Sequence, residues 1–373
     1  MNKQEIEQNL IFLFARGSQA YGTNTPSSDE DIGGICLPTK RIIYGLDKFE
    51  QDDRNWFDTN NEPVDKTVYN IVKAFQLFSE NNPNMLDFLY APERTIKYIT
   101  PIWESVMAIR DEFLCVKAKW TYQGYAVSQL NRIKTHRSYL LNPPKGKPDR
   151  AIFGLGEKSI FPETQIEVLA KLSSQYVQDE RQDKFYSEIT NLFDAEGSLI
   201  FKKYIEPEYY SFAIADFKKR QKEFLRMISS VSQHFLKDEY KDMAGKELAY
   251  IAALNDWESY QRWTKHRNSK RAEMEAKSGY DLKHAMHLIR LLRMGVEILE
   301  GKGVNVDRTN IDREHLMDIR NGVFNFDQIL EESNALNAKA DELYKTCALP
   351  KLPNQEKIDK LLVAILDTHL IFI

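Results

Sequence analysis

The fold of this protein is decided by the stretch Leu10-Ile-Phe-Leu-Phe-Ala-Arg-Gly-Ser18 and, shortly after it, Ser28-Asp-Glu-Asp-Ile-Gly-Gly-Ile35. Short apolar runs that end in turn residues predict strands, and residues 10–14 form such a run. Similar runs follow at residues 32–37 and 64–69. The N-terminal part of the chain is therefore predicted to build a small sheet.

The ends of these strands carry groups that suit phosphate and metal ions. Gly17 lets the backbone approach a ligand closely, and Ser18 opens a helical turn whose free N–H groups suit phosphate. On a strand that starts at Asp29, the side chains of Asp29 and Asp31 project to one face, about 7 Å apart along the chain, while Glu30 points to the other. Two carboxylates on one face can hold a pair of Mg²⁺ or Mn²⁺ ions, which prefer oxygen ligands.

A two-metal site of this kind needs a third carboxylate on a neighbouring strand. Two metals about 3.5 to 4 Å apart activate an attacking oxygen and stabilise a leaving pyrophosphate. Asp65 stands near the start of the next predicted strand and is our candidate, with Asp58 and Glu62 as alternatives. Each motif by itself is more often a solvated turn. Their order along the chain favours a metal site, because it combines a strand, Gly-Ser, Asp-x-Asp and an acidic third strand.

The rest of the chain has a different pattern, because after residue 70 the spacing of the apolar residues becomes that of helices. The stretches with this spacing include residues 101–141, 164–178, 208–236, 239–277, 280–300 and 356–370. One break, Asn142-Pro-Pro-Lys-Gly-Lys-Pro148, cannot continue a helix. We therefore predict an α+β protein. An α/β catalytic head over residues 1–115, a mixed sheet with flanking helices, precedes a large all-helical domain over residues 116–373 that binds acceptor and nucleotide.

Composition limits the class of protein. The 373 residues are 42% hydrophobic and 28% charged, so a sizeable core can form and whole-chain disorder is excluded. The most apolar late stretch is shorter than the ~20 residues that a membrane helix needs. The three distant cysteines fit neither a disulfide framework nor a zinc site. A soluble protein of the cytoplasm, with no membrane partner, is expected.

The net charge of −4 hides two basic stretches, residues 117–150 and 262–293. Both contain aromatic residues, and basic side chains interleaved with rings suit a nucleic-acid strand. A charge-rich helix face is usually only solvated. A catalytic head needs an acceptor, however, and these stretches are the obvious positive surfaces. The candidates for nucleic-acid binding are Arg132, Lys134, Arg137, Arg267 and Arg271.

The pattern Gly17-Ser-x-Ala-Tyr-Gly22 with Ser28-Asp-x-Asp-x-x-Gly-Ile35 resembles that of polymerase-beta-like nucleotidyltransferases. The particular residues of this pattern are similar to those of one branch of these enzymes, the RNA repair pathway DNA polymerase beta family. Two further segments resemble that branch: Asn82-Pro-Asn-Met-Leu-Asp87 in the head and Gly279-Tyr-Asp-x-Lys-His-Ala-x-His-x-x-Arg290 in the helical domain.

This resemblance implies metal-dependent transfer of a nucleoside monophosphate from an NTP. The implied metal ligands and catalytic residues are Asp29, Asp31 and Asp65. The nucleotide-binding residues are expected to be Gly17, Ser18, Ser28, Lys283, His284 and Arg290. Among them, charge and resemblance together assign Lys283 and Arg290 to triphosphate or acceptor phosphate.

The histidines of the helical domain allow two interpretations, a metal site or buried residues of the core. His284 and His287 share a predicted helix face, with Arg290 within reach. A zinc site there lacks a third ligand at suitable spacing. His284 could equally be a buried histidine of the core.

We therefore predict a two-metal nucleotidyltransferase that binds ATP or another NTP and acts on a nucleic-acid end, above all an RNA or tRNA 3′ hydroxyl in RNA repair or modification. One alternative keeps the chemistry but has a protein hydroxyl or a small molecule as acceptor. Another is a nucleotide- or RNA-binding protein without turnover, against which the intact Asp29 and Asp31 argue.

Overall fold

A computed structural model of the chain describes residues 1–26, 28–53, 56–57, 63–157, 238–265, 267 and 269–371. They divide into two compact units, one of Met1–Leu141 with Asn268–Ile373 and one of Asn142–Arg267. The helices predicted at 164–178 and 208–236, and the alternative carboxylates Asp58 and Glu62, lie outside the described residues. The boundary at residue 115 stays a prediction.

The first unit begins with the predicted α/β head. In chain order its elements are α1 (Lys3–Gln8), β1 (Leu10–Ala15), α2 (Ser18–Tyr21), β2 (Asp31–Cys36), α3 (Lys40–Tyr44), β3 (Gln51–Asp52), β4 (Trp56–Phe57), β5 (Pro63–Asn70), α4 (Ile71–Ser79), α5 (Pro83–Leu89), β6 (Ile96–Ile99) and α6 (Pro101–Ala108). The three predicted strands are confirmed as β1, β2 and β5.

The sheet is mixed, with the strand order β3-β5-β2-β1-β6, and β4 pairs with β5 off this path. Strands β1 and β2 are antiparallel, whereas β2 and β5 are parallel. One face is covered by an aromatic cluster in which the rings of Phe12 and Trp103 stack with centroids 4.8 Å apart and Phe14 packs edge-on against Phe88. This apolar packing holds the strands whose ends carry the acidic residues.

Helix α5 explains the Asn-Pro segment of the sequence. Asn82 caps the helix by accepting a hydrogen bond from the amide of Asn84 at 3.1 Å, and Pro83 occupies the first turn, where its missing N–H costs nothing. The Asn82 side chain also donates to the Tyr125 hydroxyl at 2.9 Å. The segment thus joins the head to the first long helix.

The remaining described elements are helical, which confirms the predicted fold class of a mixed sheet with flanking helices followed by a helical region. They are α7 (Lys117–Leu141), α8 (Asp238–Lys265), α9 (Ser269–Ser278), α10 (Leu282–Leu299), α11 (Arg313–Arg320), α12 (Phe326–Thr346) and α13 (Gln355–Ile371). Helix α10 is buried almost all round and packs against α7, α11 and α12. None of the helices in these ranges has the length and apolar character needed to cross a bilayer.

The second unit, as far as it is described, contains a short 3₁₀ turn (Arg150–Phe153) and α8. The guanidinium of Arg150 pairs with the buried carboxylate of Glu247, with one N–H···O contact at 3.0 Å. Such a bidentate pair fixes the turn on the helix.

Candidate active site

Two of the predicted carboxylates lie opposite each other at one end of the parallel strand pair. The register of β2 and β5 places Asp31 directly opposite Asp65. Strand β2 begins at Asp31 rather than at the predicted Asp29, because the ladder with β1 ends where the Arg16 amide donates to the Asp31 carbonyl at 2.8 Å and the chain turns away at Gly17. Asp29 and Asp65 are exposed, and Asp31 is half-buried.

The electrostatics of Asp31 reflect this crowding. Burial and, after it, the neighbouring charge of Asp65 raise the pKa of the Asp31 carboxyl, and Asp29 adds to the rise. The cationic side chains of Arg16 and Lys283 oppose it. Because carboxylates of like charge repel each other, a cation placed among them would lower the free energy of the group. The donor set is all oxygen, so it fits Mg²⁺ or Mn²⁺.

Gly17 lies against this site and has to be glycine. Its φ of +63° and ψ of −134° belong to a region that other residues avoid. A Cβ atom built on Gly17 would lie 2.9 Å from Oδ2 of Asp31. The turn that follows β1 can therefore approach the carboxylate only because no side chain is present.

Glu30, predicted to face away from Asp29 and Asp31, lies just before β2 and pairs with a lysine of β6. Its carboxylate lies 2.8 Å from Nζ of Lys97, and both side chains are about half exposed. Ser28 stays in the turn before β2, where its hydroxyl accepts a hydrogen bond from the Thr25 amide at 2.9 Å. The turn therefore leads directly into Asp29.

The backbone of residues 19–23, which continues from Gly17 and Ser18, is held by four arginines that sequence reasoning missed. Arg94 donates to the carbonyls of Gln19 at 2.8 Å and Ala20 at 3.0 Å. Arg308, Arg313 and Arg320 follow in chain order: the amide of Arg308 donates to the Tyr21 carbonyl, and the guanidinium groups of Arg313 and Arg320 donate to the carbonyls of Gly22 and Thr23. We call Arg94, Arg308, Arg313 and Arg320 the arginine clamp.

The clamp has a rigid base. The side chain of Arg308 is fully buried, and its guanidinium donates twice to Glu297, at 2.7 Å each, and once to Asp312 at 2.8 Å. Bidentate contacts of this kind fix orientation as well as charge. These contacts attach residues 307–320, which include Arg313 and Arg320, to α10.

A buried network supports the same turn from below. The hydroxyl of Tyr21 donates to Asp87, and the guanidinium of Arg290 lies 3.5 Å from the centroid of the Tyr21 ring. Burial raises the pKa of Asp87 to about 6, against the opposing charge of Arg290. Arg290, predicted to bind phosphate, is 5% exposed. Its contacts in this network are with Tyr21 and Met294, whose sulfur accepts at 3.3 Å, so its binding of nucleotide stays a prediction.

The other predicted cationic residues differ in their exposure and in the partners of their side chains. Lys283, Arg132 and Lys134 are exposed on α10 and α7. Arg137 instead donates to the Gly279 carbonyl at 2.8 Å and lies over the Phe326 ring. Arg267 lies over the Trp263 ring in the second unit, and Arg271 lies in α9 with its side chain outside the described part.

A second polar cluster joins α7 to the start of α10. Nδ1 of His136 lies 2.8 Å from Oδ2 of Asp281, and Nε2 of His284 lies 3.6 Å from the same oxygen. Burial lowers the pKa of His284 to about 4. Burial also raises the pKa of Asp281, but the hydrogen bond from His136 and the two histidines' charges outweigh it and bring the value to about 2. The sequence grouped His284 with His287 and did not point to His136, which is distant along the chain.

Comparisons with known proteins show what the N-terminal part of the chain is similar to. Residues 1–141 match the model of the RNA repair pathway DNA polymerase beta family, which confirms the predicted resemblance over those residues. A protein of Enterobacteria phage T4, described as an uncharacterized 38.9 kDa protein in the nrdC-mobD intergenic region, is 30% identical over 122 residues. That match covers 31% of this chain and 36% of the phage protein, just over a third of the relative's length. No solved structure matches the chain.

Proposed function

From the family match of the head, which supports nucleotidyl transfer as the class of reaction, we propose that this protein moves a nucleoside monophosphate from an NTP to the 3′ hydroxyl of an RNA or tRNA. The reaction uses Mg²⁺ or Mn²⁺. The observation that carries the proposal is the register of the parallel strands, which sets Asp31 opposite Asp65 beside Gly17.

The chemistry is an in-line displacement at the α-phosphorus. The acceptor hydroxyl oxygen forms a bond to the α-phosphorus, and the bond from this phosphorus to the oxygen bridging to the β-phosphorus breaks. Pyrophosphate leaves, and the hydroxyl proton passes to a carboxylate or to solvent. Metal ions, when bound, supply charge stabilisation on both oxygens. Asp29, Asp31 and Asp65 hold them, so the contribution of the chain is mainly position and charge.

The triphosphate needs cationic and amide donors on the side of the acidic group. Gly17 and Ser18 turn the backbone past Asp31, and their position supports contact with phosphate. Lys283 is exposed, and its charge opposes the rise in the pKa of Asp31. We assign Lys283 to the phosphates, since a cation beside the carboxylates would face the charge that leaves with pyrophosphate.

The acceptor is assigned from charge. Arg132 and Lys134 are exposed on α7, the helix that packs along α10, the helix of Lys283. Exposed basic side chains bind a nucleic-acid backbone with a strong dependence on salt. Arg137 is already engaged with Gly279 and Phe326, so we expect it to contribute less than these two.

The experiment is incubation of the full chain with each labelled NTP, Mg²⁺ and total RNA, followed by separation of RNA, protein and small molecules. Label in RNA, absent with Asp31→Asn, is the expected result. Label on protein or on a small molecule would show that the acceptor is not RNA but that the transfer reaction is the one proposed. No transfer to any acceptor, with full biological function kept by Asp31→Asn, would overturn the proposal and favour a binding protein.

The acceptor surface is tested with the double variant Arg132→Gln and Lys134→Gln. We expect weaker RNA binding and a shallower dependence of the binding constant on salt. The matched control is Lys351→Gln with Lys360→Gln, which removes two exposed cations near α13. Equal RNA binding by both double variants would contradict the assignment.

A further inference from the structure

The cluster of His136, Asp281 and His284 brings three potential metal ligands together. Within the described residues, each of the three offers one ligand atom, and these atoms all lie within 4.8 Å of one another. The Asp281 carboxylate is 3% exposed, and the two imidazole rings are under one-fifth exposed. The cluster is therefore largely shielded from water.

The orientation of His284 is set from its far side. Nδ1 of His284 lies 2.7 Å from Oε1 of Gln129, a carbonyl oxygen that can only accept a hydrogen bond. Nδ1 therefore carries the proton, and in a neutral ring Nε2 presents a lone pair. Histidines that bind metal ions are typically held in this way by an acceptor at the other ring nitrogen.

Asp281 is held equally firmly. Its Oδ1 caps α10 by accepting a hydrogen bond from the His284 amide at 3.0 Å. This bond leaves Oδ2 as the oxygen that faces both His136 and His284. One carboxylate oxygen and two imidazole nitrogens thus point to a common centre.

Hydrogen bonding accounts for only one of the two histidine contacts with Oδ2 of Asp281. His136 can donate a proton from Nδ1 to Oδ2 of Asp281. The lone pair of Nε2 on neutral His284 then faces the same anionic oxygen at 3.6 Å with no hydrogen between them. Two electron-rich atoms repel each other in a site with little water, unless a cation lies between them.

We propose that Nδ1 of His136, Oδ2 of Asp281 and Nε2 of His284 bind one divalent transition-metal ion of the zinc class. Imidazole ligands favour Zn²⁺ or Co²⁺ over Mg²⁺, which prefers oxygen. On binding, His136 carries its proton on Nε2 and Nδ1 becomes a ligand. Three protein ligands leave a fourth position for water. The ion would tie α7 to the first turn of α10.

The site is tested on the full chain by titration with Co²⁺ after treatment with a chelator, because cobalt bound in a tetrahedral site with nitrogen ligands absorbs visible light. We expect one Co²⁺ per chain, displaced by Zn²⁺ and not by excess Mg²⁺. The absorption should persist in Asp31→Asn, which separates this site from the carboxylates of the sheet. Absence of the visible band in the wild-type chain would overturn the proposal.

Variants assign the ligands. His284→Ala and His136→Ala should each weaken Co²⁺ binding at least tenfold, and Gln129→Ala, which removes only the orienting acceptor, should weaken it roughly 10- to 100-fold. The control is His315→Ala, which removes a histidine paired with Glu332 at 2.9 Å. Circular dichroism checks that each variant is folded. Wild-type affinity in folded His284→Ala would overturn the proposal, and the wild-type titration decides it if that variant does not fold.

Discussion

The acidic edge of the sheet and the arginine clamp hold neighbouring parts of one site by opposite means. At the edge, Asp31 and Asp65 are side chains whose positions are set by backbone pairing. At the clamp, the backbone of residues 19–23 is positioned mainly by arginine side chains, of which Arg313 and Arg320 come from α11, while Arg308 contributes its backbone amide. The chemistry therefore depends on register, and the loop that accompanies it depends on single side chains.

This difference separates two kinds of weakness. A substitution at the edge removes a functional group and leaves the strand ladder intact. A substitution of Arg94, Arg313 or Arg320 leaves the carboxylates in place but frees a carbonyl of the turn between Ser18 and Ser28. The clamp residues 308, 313 and 320 also lie outside the part of the chain that matches the family. Four variants test the comparison.

The largest effect is expected for Asp65→Asn. Loss of one charge-stabilising group in an active site typically lowers the rate by about 10²- to 10³-fold. The free energy of unfolding should stay the same or increase, because Asp65 raises the pKa of Asp31 by repulsion. The measurements are label transfer from NTP and the urea midpoint. Glu30→Gln, beside the site but paired with Lys97, is the control and should keep its activity.

Gly17→Ala tests the junction between the edge and the turn. A side chain at this positive φ costs about 1 to 3 kcal/mol, and its Cβ would press on Oδ2 of Asp31. If the turn moves to avoid this contact, transfer falls roughly tenfold to hundredfold. Gly301→Ala is the control, because Gly301 also has a positive φ, of +77°, but no heavy atom of the described residues lies within 4 Å of the place its Cβ would take. Equal loss of transfer in both variants would contradict the role of Asp31.

Arg320→Ala should have a smaller effect, since the other clamp residues remain. The Thr23 carbonyl loses a charge-assisted hydrogen bond of about 1.5 to 3 kcal/mol, part of which water replaces. We expect roughly tenfold weaker transfer, mainly through the KM for NTP. The control is Arg41→Ala, which breaks the ion pairs of Arg41 with Glu5 and Asp47, outside the clamp and its base, and should leave this KM unchanged. A KM that changes in Arg41→Ala but not in Arg320→Ala would contradict the role of the clamp.

The smallest effect on transfer is expected for Asp87→Asn, which instead changes the dependence of stability on pH. The pKa of Asp87 is about 6 in the folded chain, above its ordinary value of about 3.9. Between these values the unfolded chain releases the proton first, so the free energy of unfolding falls as pH rises from about 4 to about 6. Asp87→Asn should remove this part of the decline in urea midpoints.

The control for this prediction is another tyrosine–aspartate pair. Asp111 accepts a hydrogen bond from the Tyr90 hydroxyl at 2.6 Å in a more exposed setting. Asp111→Asn should keep the decline between pH 4 and 6. A decline of wild-type size in Asp87→Asn would show that another group is responsible.

The sequence was informative where a local rule sets position. The strand β5 and the proximity of Asp65 to Asp31 were predicted, because apolar runs and their order along the chain define adjacent strands. The start of β2 was placed too early, since the ladder depends on where β1 turns away. The histidine cluster was not predicted: the sequence grouped His284 with His287 and offered no third ligand, because no spacing rule joins His136 to Asp281 across 145 residues.

Arg290 shows what charge and motif do not reveal. They assign it to phosphate, which stays a prediction, whereas its burial beneath the Tyr21 ring was not predicted. The neighbouring Leu288, Ile289, Leu291 and Leu292 make the helix apolar on nearly all sides. A helix of that pattern is buried all round, and its arginine has to find partners inside.

The clamp also sets an order of events during synthesis. The carbonyls of Gly22 and Thr23 receive their arginines from positions 291 and 297 residues further along the chain. A nascent chain therefore completes the strands that carry its carboxylates long before the turn beside them can be fastened. Contacts of such long range form late and slowly. We expect the growing polypeptide to fasten the turn beside its carboxylates only in the last stage of its synthesis.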